Sequence, residues 1–427
     1  MNSYLINIKP GEQKLVVWSF LYFFVLLASY FILRPLRDEM GISNGASNMQ
    51  WLFTGTFLTM IAMVPLFGYL TSRFKISTVL TSSYLFFICN ILLFYYFFSE
   101  GLFLKLLPII FFIWLSVFNL FAISLFWSFM VDIYTNTQSK RLFGIISTGG
   151  SLGAIAGPLI ASSLSRTFGI ENLFLLTIIF LCMSLIALRR IMQLAPNQNS
   201  KQILKKFKDN RLTKRTLFDG IKLVISSNYL KKLSLFIILY TCTSTILYFE
   251  QATIVEKTIT NSIERIQYFS TVDLITNSLT IIGQFFLTSR IIKQFGLSVT
   301  LSLVPVVLGI GFIILSTKTT LSILMILMIL LRVGNYTTLK PGREILFTVS
   351  NREEKYKAKN FIDTAVYRGG DAFSGWFFTI LITMGMGLPS IAIVAVPIVL
   401  LWGYTGFLLG DKEMKVSKNK INLNATK

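Results

Sequence analysis

This chain of 427 residues predicts an all-α membrane protein, with about twelve transmembrane helices in two six-helix halves. Three observations predict it. Hydrophobic residues make up 54% of the chain and charged residues only 14%, too little polar surface for a soluble protein of this size. The apolar residues fall into runs of about 20, the length that crosses a bilayer core as a helix. Lys and Arg concentrate in alternate loops, the pattern of a chain threaded repeatedly through a membrane.

The spans follow in order. A short polar stretch with Lys9 and Lys14 precedes span 1, about 15–33. That run is too long for a signal peptide and no small-residue cleavage site follows it, so it reads as a first membrane helix. It ends in Arg34, Pro35, Leu36, Arg37, Asp38 and Glu39. Span 2 (about 50–71) leads to Arg73 and Lys75, span 3 covers about 77–98, and span 4 (about 106–131) closes beside Asp132. Span 5 (about 142–164) holds Gly149, Gly153, Gly157 and Pro158, and span 6 covers about 172–192. Span 7 (about 233–255) contains Glu250, and span 8 (about 268–289) contains Asp273 and Gln284. Span 9 is about 297–316, span 10 (about 320–342) holds Arg332 and Lys340, span 11 is about 358–384 and span 12 about 388–409.

Basic residues flanking the spans orient the chain. Lys9, Lys14, Arg73, Lys75, Lys140, Arg141, Arg290, Lys293, the 352–359 loop, the 196–232 segment and the C-terminal tail fall on one side. The other side has Arg34 and Arg37, offset by Asp38 and Glu39, and scattered Lys105, Arg166, Lys257, Arg265 and Lys318. The positive-inside rule puts both termini and the central segment in the cytoplasm. A composition heavy in Phe, Ile, Lys and Asn suggests an AT-rich bacterial genome, so the expected location is a bacterial inner membrane. Six spans, a long basic loop and six more spans match the plan of the major facilitator superfamily. On that plan the chain divides into a half at 1–195, a linker at 196–232, a half at 233–410 and a tail at 411–427. The halves echo each other: a basic turn follows spans 2 and 8, and a basic loop leads into Gly149-Gly150 and again into Gly369-Gly370.

The densest chemistry runs from Arg343 to Trp376, with Arg343, Glu344, Lys357, Lys359, Asp363, Arg368 and Asp371. Each ion placed in hydrocarbon costs roughly 2.5–3.5 kcal/mol even on the mildest scale. Such residues persist by facing each other, a water-filled path or an anionic ligand. Arg332 and Lys340 lie eight apart on span 10, and Arg368 on span 11 can join them to grip a phosphate or carboxylate, with Asp363 and Asp371 balancing the group. Glu250 can balance a cation, carry a proton or sit at the water boundary, and Asp273 is a second candidate proton carrier. Arg34 and Arg37 read either as an interfacial anchor or as an anion-attracting rim. Gly149, Gly153 and Gly157, at i, i+4 and i+8, offer a neighbouring helix close approach.

Four stretches resemble the ATP/ADP translocase family, the nucleotide transporters of plastids and intracellular bacteria. They are Tyr30 to Asp38 (YFILRPLRD), Phe126 to Phe129 (FWSF) with Ser139 to Gly144 (SKRLFG), Leu247 to Thr253 (LYFEQAT), and Lys355 to Asp363 (KYKAKNFID) with the glycine pair after it. The resemblance implies a facilitator-type fold of about twelve helices and exchange of ATP for ADP, or proton-coupled import of a nucleotide. Under it the family's first-helix lysine falls on Arg37 and its seventh-helix glutamate on Glu250. Its eleventh-helix lysine falls at or near Asp371, where the charge is reversed, with Arg368 one turn earlier.

The expected function is secondary transport of a small organic anion, foremost a nucleotide, through a midplane cavity. Proton-coupled transport of a non-nucleotide solute and a non-transporting scaffold or sensor are the competing readings. The formal charge of +21 is accounted for by the positive-inside pattern, so nucleic acid is not an expected partner; the bilayer, the solute and protons are. The chain has no His and no GxxxxGK[ST] loop, which argues against an ATP-hydrolysing pump and against an enzyme. No cofactor or metal is expected.

Overall fold

With no water to satisfy its backbone in a bilayer core, an apolar run of this length closes its hydrogen bonds internally, and helices are the result. A computed structural model describes residues 8–101, 105–195, 217–347, 358–359 and 361–425. Its helices are α1 (Gln13–Ser43), α2 (Met49–Arg73), α3 (Ile76–Ser99), α4 (Leu107–Ile133), α5 (Asn136–Phe168), α6 (Glu171–Leu194), α7 (Leu217–Ser226) and α8 (Asn228–Thr258). They continue with α9 (Ser262–Phe286), α10 (Thr288–Thr317), α11 (Leu321–Gly334), α12 (Lys340–Leu346), α13 (Tyr367–Thr383) and α14 (Leu388–Ala425). Single π-helical turns cover Asn335–Leu339, joining α11 to α12, and Ile362–Val366, leading into α13. Among the described residues, 10 helical stretches are long and apolar enough to cross a membrane, with α11 and α12 counted as one. The α9 and α13 stretches, which carry Asp273 and Asp371, bring the set to the expected architecture. Most of the 196–232 linker, at 196–216, lies outside the described residues, as do Lys357 and the rest of the 348–357 loop.

The chain forms two compact units: Met1–Asn44, Ala62–Thr213 and Thr260–Leu274 in one, Gly45–Ile61, Lys214–Ile259 and Ile275–Lys427 in the other. In the first, α1 packs against α4, α5 and α6. Gly149, Gly153 and Gly157 lie against α1, where a Cβ on Gly153 would stand 2.2 Å from the Phe24 carbonyl oxygen. Tyr22 and Tyr84, both buried, join hydroxyls at 2.6 Å, and Ser19 meets the Tyr134 hydroxyl at 2.9 Å. Thr135 and Gln138 form a capping box at the start of α5. Span 1 was expected to stop near residue 33, but α1 runs on through Arg34–Glu39 to Ser43. The helix continues because these charges find partners inside the unit instead of marking a water boundary.

Beside the first turn of α1, Glu12 accepts hydrogen bonds from Arg141 Nη2 (3.0 and 3.2 Å), Gln138 Nε2 (3.0 Å) and the Lys9 amide (3.0 Å). Partial burial pushes the Glu12 carboxyl up, but these bonds outweigh it and hold the group below its ordinary value. A depressed carboxylate contributes stability above its unfolded-state range and loses it as the pH falls through the folded value. Glu12→Gln is therefore expected to melt below the wild type at neutral pH, with the gap closing as the pH drops to about 3. A gap that stays constant across a melting series over pH would count against this clasp.

In the second unit, α8 packs against α11, α13 and α14, and α10 against α14. Gly403, Gly406 and Gly410 form a small-residue stripe on α14, and a Cβ on Gly410 would stand 2.4 Å from the Ser298 amide. Ser302 Oγ donates to the Gly403 carbonyl at 2.9 Å across the same seam. Gly296 breaks α10 near its start with φ 74°, a backbone conformation that suits glycine. α14 continues as helix to Ala425, into the stretch assigned to the tail.

Candidate functional site

Buried charge is the feature of this chain that packing alone does not demand. In the first unit it lies on α1 and the first part of α9. Arg34 Nη1 stands 3.3 Å from Asp273 Oδ1, with side chains 17% and 1% exposed. Glu39, also buried, stands 4.0 Å from Arg265. Arg37 Nε donates to the Phe112 carbonyl at 3.1 Å, Nη2 to Ser116 Oγ at 3.4 Å and Nη1 to Asp38 Oδ1 at 3.4 Å. Its guanidinium lies 3.7 Å from the centre of the Phe112 ring, a cation–π contact. Arg37 is thus a heavily anchored cation on the α1–α4 seam. Arg34 pairs with a carboxylate that is itself buried, at 3.3 Å.

In the second unit, Glu250 is fully buried on α8, and neither carboxyl oxygen has a hydrogen-bond partner among the described residues. An ionised carboxylate is costly there without a cation or donors. Asp371 on α13 accepts from Thr245 Oγ1 (3.5 Å) and pairs with Arg368 Nη1 (3.4 Å). The pair forms one helical turn apart, across the position where the family resemblance places a reversed charge. Asp363, in the second π-turn, pairs with Arg343 Nη2 of α12 at 3.3 Å, and Lys359 pairs with Glu344. Arg332 is half-buried in the last turn of α11, after the apolar run from Leu321 to Leu331. Lys340 is exposed and reaches over the Tyr336 ring.

The π-turn lies between Arg332 and Lys340, so their angular relation is not that of a regular helix, the relation the spacing implies. Its causes are visible. Thr337 and Thr338 hydroxyls bond back to the Val333 and Gly334 carbonyls at 2.7 and 2.8 Å, which loosens a helix. Thr288 Oγ1 and Gln284 Nε2 donate to the Thr337 and Tyr336 carbonyls at 2.7 and 3.3 Å. The threonine pair is local, but these two donors lie 49 and 52 residues away, so the neighbouring sequence announces only part of the turn.

Two features went unseen in the sequence. Arg343 sits in the charged stretch but carried no assigned partner. An aromatic group joins the first part of α2 to α8 and α13: Trp376 Nε1 donates to Thr54 Oγ1 at 3.0 Å, Trp51 and Trp376 stand edge to face at 4.7 Å, and Phe53 meets Phe249 at 5.1 Å. Trp, Phe and Tyr are common throughout the spans, so their spacing alone does not single these out.

Comparison with known proteins adds the wider context. The profile of the Major Facilitator Superfamily matches residues 15–256. No curated protein sequence matches the chain at a significant level. Solved structures similar to it include a mutant of the nucleoside transporter NupG, at TM-score 0.68 and 11% identity over 93% of this chain and 99% of that one. A bacterial homologue of the iron transporter ferroportin matches at TM-score 0.66 and 12% identity, over 94% and 98% of the two chains. The xylose transporter XylE from E. coli matches at TM-score 0.61 and 12% identity, over 94% and 95%. At these identities the likeness is one of fold.

Proposed function

Because the chain belongs to the major facilitator superfamily, we propose that this integral membrane protein is a secondary transporter of a small organic anion, with a nucleotide as its leading cargo. Alternating access is the mechanism that the fold supports. The observation that carries the anion reading is Arg332, a half-buried guanidinium closing an otherwise apolar run in α11. Arg offers two parallel donors that match a phosphate or carboxylate. Arg34, Arg37, Lys340, Arg368, Glu250, Asp363 and Asp371 are the remaining candidate binding groups, lying in the two units as described above. The nucleotide itself rests on the resemblance to the ATP/ADP translocases, which Arg37 and Glu250 carry. The loop charges favour cytoplasmic termini, and the composition favours a bacterial inner membrane.

Glu250 favours a second reading, proton-coupled transport of a non-nucleotide solute. A fully buried carboxyl with no hydrogen-bond partner among the described residues is suited to take up and release a proton during a cycle. One experiment separates the two. Radiolabelled ATP uptake is measured in proteoliposomes, empty or preloaded with ADP, for the wild type, Arg332→Ala and Glu250→Gln. Uptake only into preloaded vesicles, reduced at least tenfold by Arg332→Ala, is the result expected of an exchanger. Uptake that needs an imposed pH gradient and disappears in Glu250→Gln would move the assignment to proton coupling. Folded protein that takes up no ATP under either condition would remove the nucleotide.

A further inference from the structure

A small pocket in the second unit is lined by Phe236 and Tyr240 of α8, by Asn335 and Leu339 of the π-turn, and by Lys340 and Arg343 of α12. We propose that it is a subsite for a phosphate-type oxyanion, held by Lys340 and Arg343. The inference rests on the reading that the cargo is an organic anion, and it names the side chains that would select it.

Four observations support the subsite. Lys340 and Arg343 are three residues apart on one helix, so their side chains are neighbours. Arg343 is largely buried, and although its Nη2 pairs with Asp363 at 3.3 Å, its Nε has no hydrogen-bond partner among the described residues. A buried guanidinium N–H left unpaired is costly, and an oxyanion is the acceptor that matches it. Charge is in surplus: among the described residues here, Lys340, Arg343 and Lys359 stand against Glu344 and Asp363, three cations to two carboxylates. The π-turn forms the pocket's edge, where such turns commonly accompany function.

The test uses full-length protein in lipid-depleted detergent micelles, with calorimetric titration of inorganic phosphate, AMP, adenosine and a short-chain phosphatidylglycerol. AMP is expected to bind, phosphate to compete with it, and adenosine to bind at least tenfold more weakly. Lys340→Gln, an exposed site, is expected to weaken AMP and phosphate at least tenfold without changing the melting temperature. Arg343→Gln leaves Asp363 unpaired and can fail to fold, so Arg343 is tested in the double variant Arg343→Gln/Asp363→Asn, with the same expected loss. Wild-type affinities in both variants would overturn the subsite. So would folded wild type that binds neither phosphate nor AMP, or that binds only the phospholipid. The outcomes separate the two proposals. Phosphate binding that depends on Lys340, with no ATP uptake, removes the nucleotide and keeps the subsite. ATP exchange that Lys340→Gln leaves intact keeps the nucleotide and removes the subsite.

Discussion

Replacing Arg34 by alanine is expected to cost about 3–5 kcal/mol of stability, the scale on which removing one partner of a buried ion pair acts. The magnitude follows from what is left behind. Asp273 is 1% exposed, so removing the guanidinium at 3.3 Å takes an ion-pair partner from a charge at depth. Asp273→Asn is expected to cost less, because an amide carries no charge to strand, and Arg34 keeps partial access to water at 17% exposure. The double variant Arg34→Ala/Asp273→Asn is expected to recover most of the loss, since removing both ends of a buried pair is far milder than removing one. Thermal melting of the four proteins in one detergent checks this. If Arg34→Ala melts with the wild type, the pair is not holding the α1–α9 contact. Transport gives an independent readout: a double variant that melts normally yet moves no solute would mark these charges as functional instead of structural.

The same pair shows how far the sequence could be read. The apolar runs declared the membrane helices because hydropathy is a local property, and the helices formed where the runs lie. The charges at Arg34 to Glu39 were visible as well, but they read as a helix end. A local window contains no hint that Asp273 and Arg265, more than two hundred residues later, would meet Arg34 and Glu39 and let α1 continue to Ser43. Arg368 and Asp371 were the easier case, since an i,i+3 pair is a local relation and forms at 3.4 Å. The π-turn at Asn335–Leu339 depends on Thr288 and Gln284 of other helical segments, so the spacing of Arg332 and Lys340 was read on a regular helix that is not there. Among the buried groups, Glu250 was legible because an acid inside an apolar run announces itself whatever its partners are. The stripe at Gly403, Gly406 and Gly410 was legible in principle, but its i, i+3, i+7 spacing is less regular than the one on α5.

That regular stripe supports the other large effect. Gly153→Leu is expected to abolish the folded first unit, and even Gly153→Ala to cost about 3 kcal/mol, at the upper end of overpacking. The obstacle is backbone. A Cβ at Gly153 would stand 2.2 Å from the Phe24 carbonyl oxygen and 3.0 Å from the Ala28 amide, and one at Gly149 would stand 2.4 Å from the Phe20 oxygen. A side chain in the way can rotate, whereas these atoms belong to α1, whose own hydrogen bonds hold them. Relief requires α1 and α5 to separate, and α1 lies against α4, α5 and α6. Gly144 is the internal control. It lies on the same helix, is exposed, and a Cβ there meets nothing within 4 Å. Gly144→Ala is therefore expected to gain about 0.5–1 kcal/mol, because alanine loses less backbone entropy in a helix. The same methyl on the same helix should thus move the melting temperature in opposite directions. If both variants move it the same way, helix propensity governs α5 and the close approach to α1 does not.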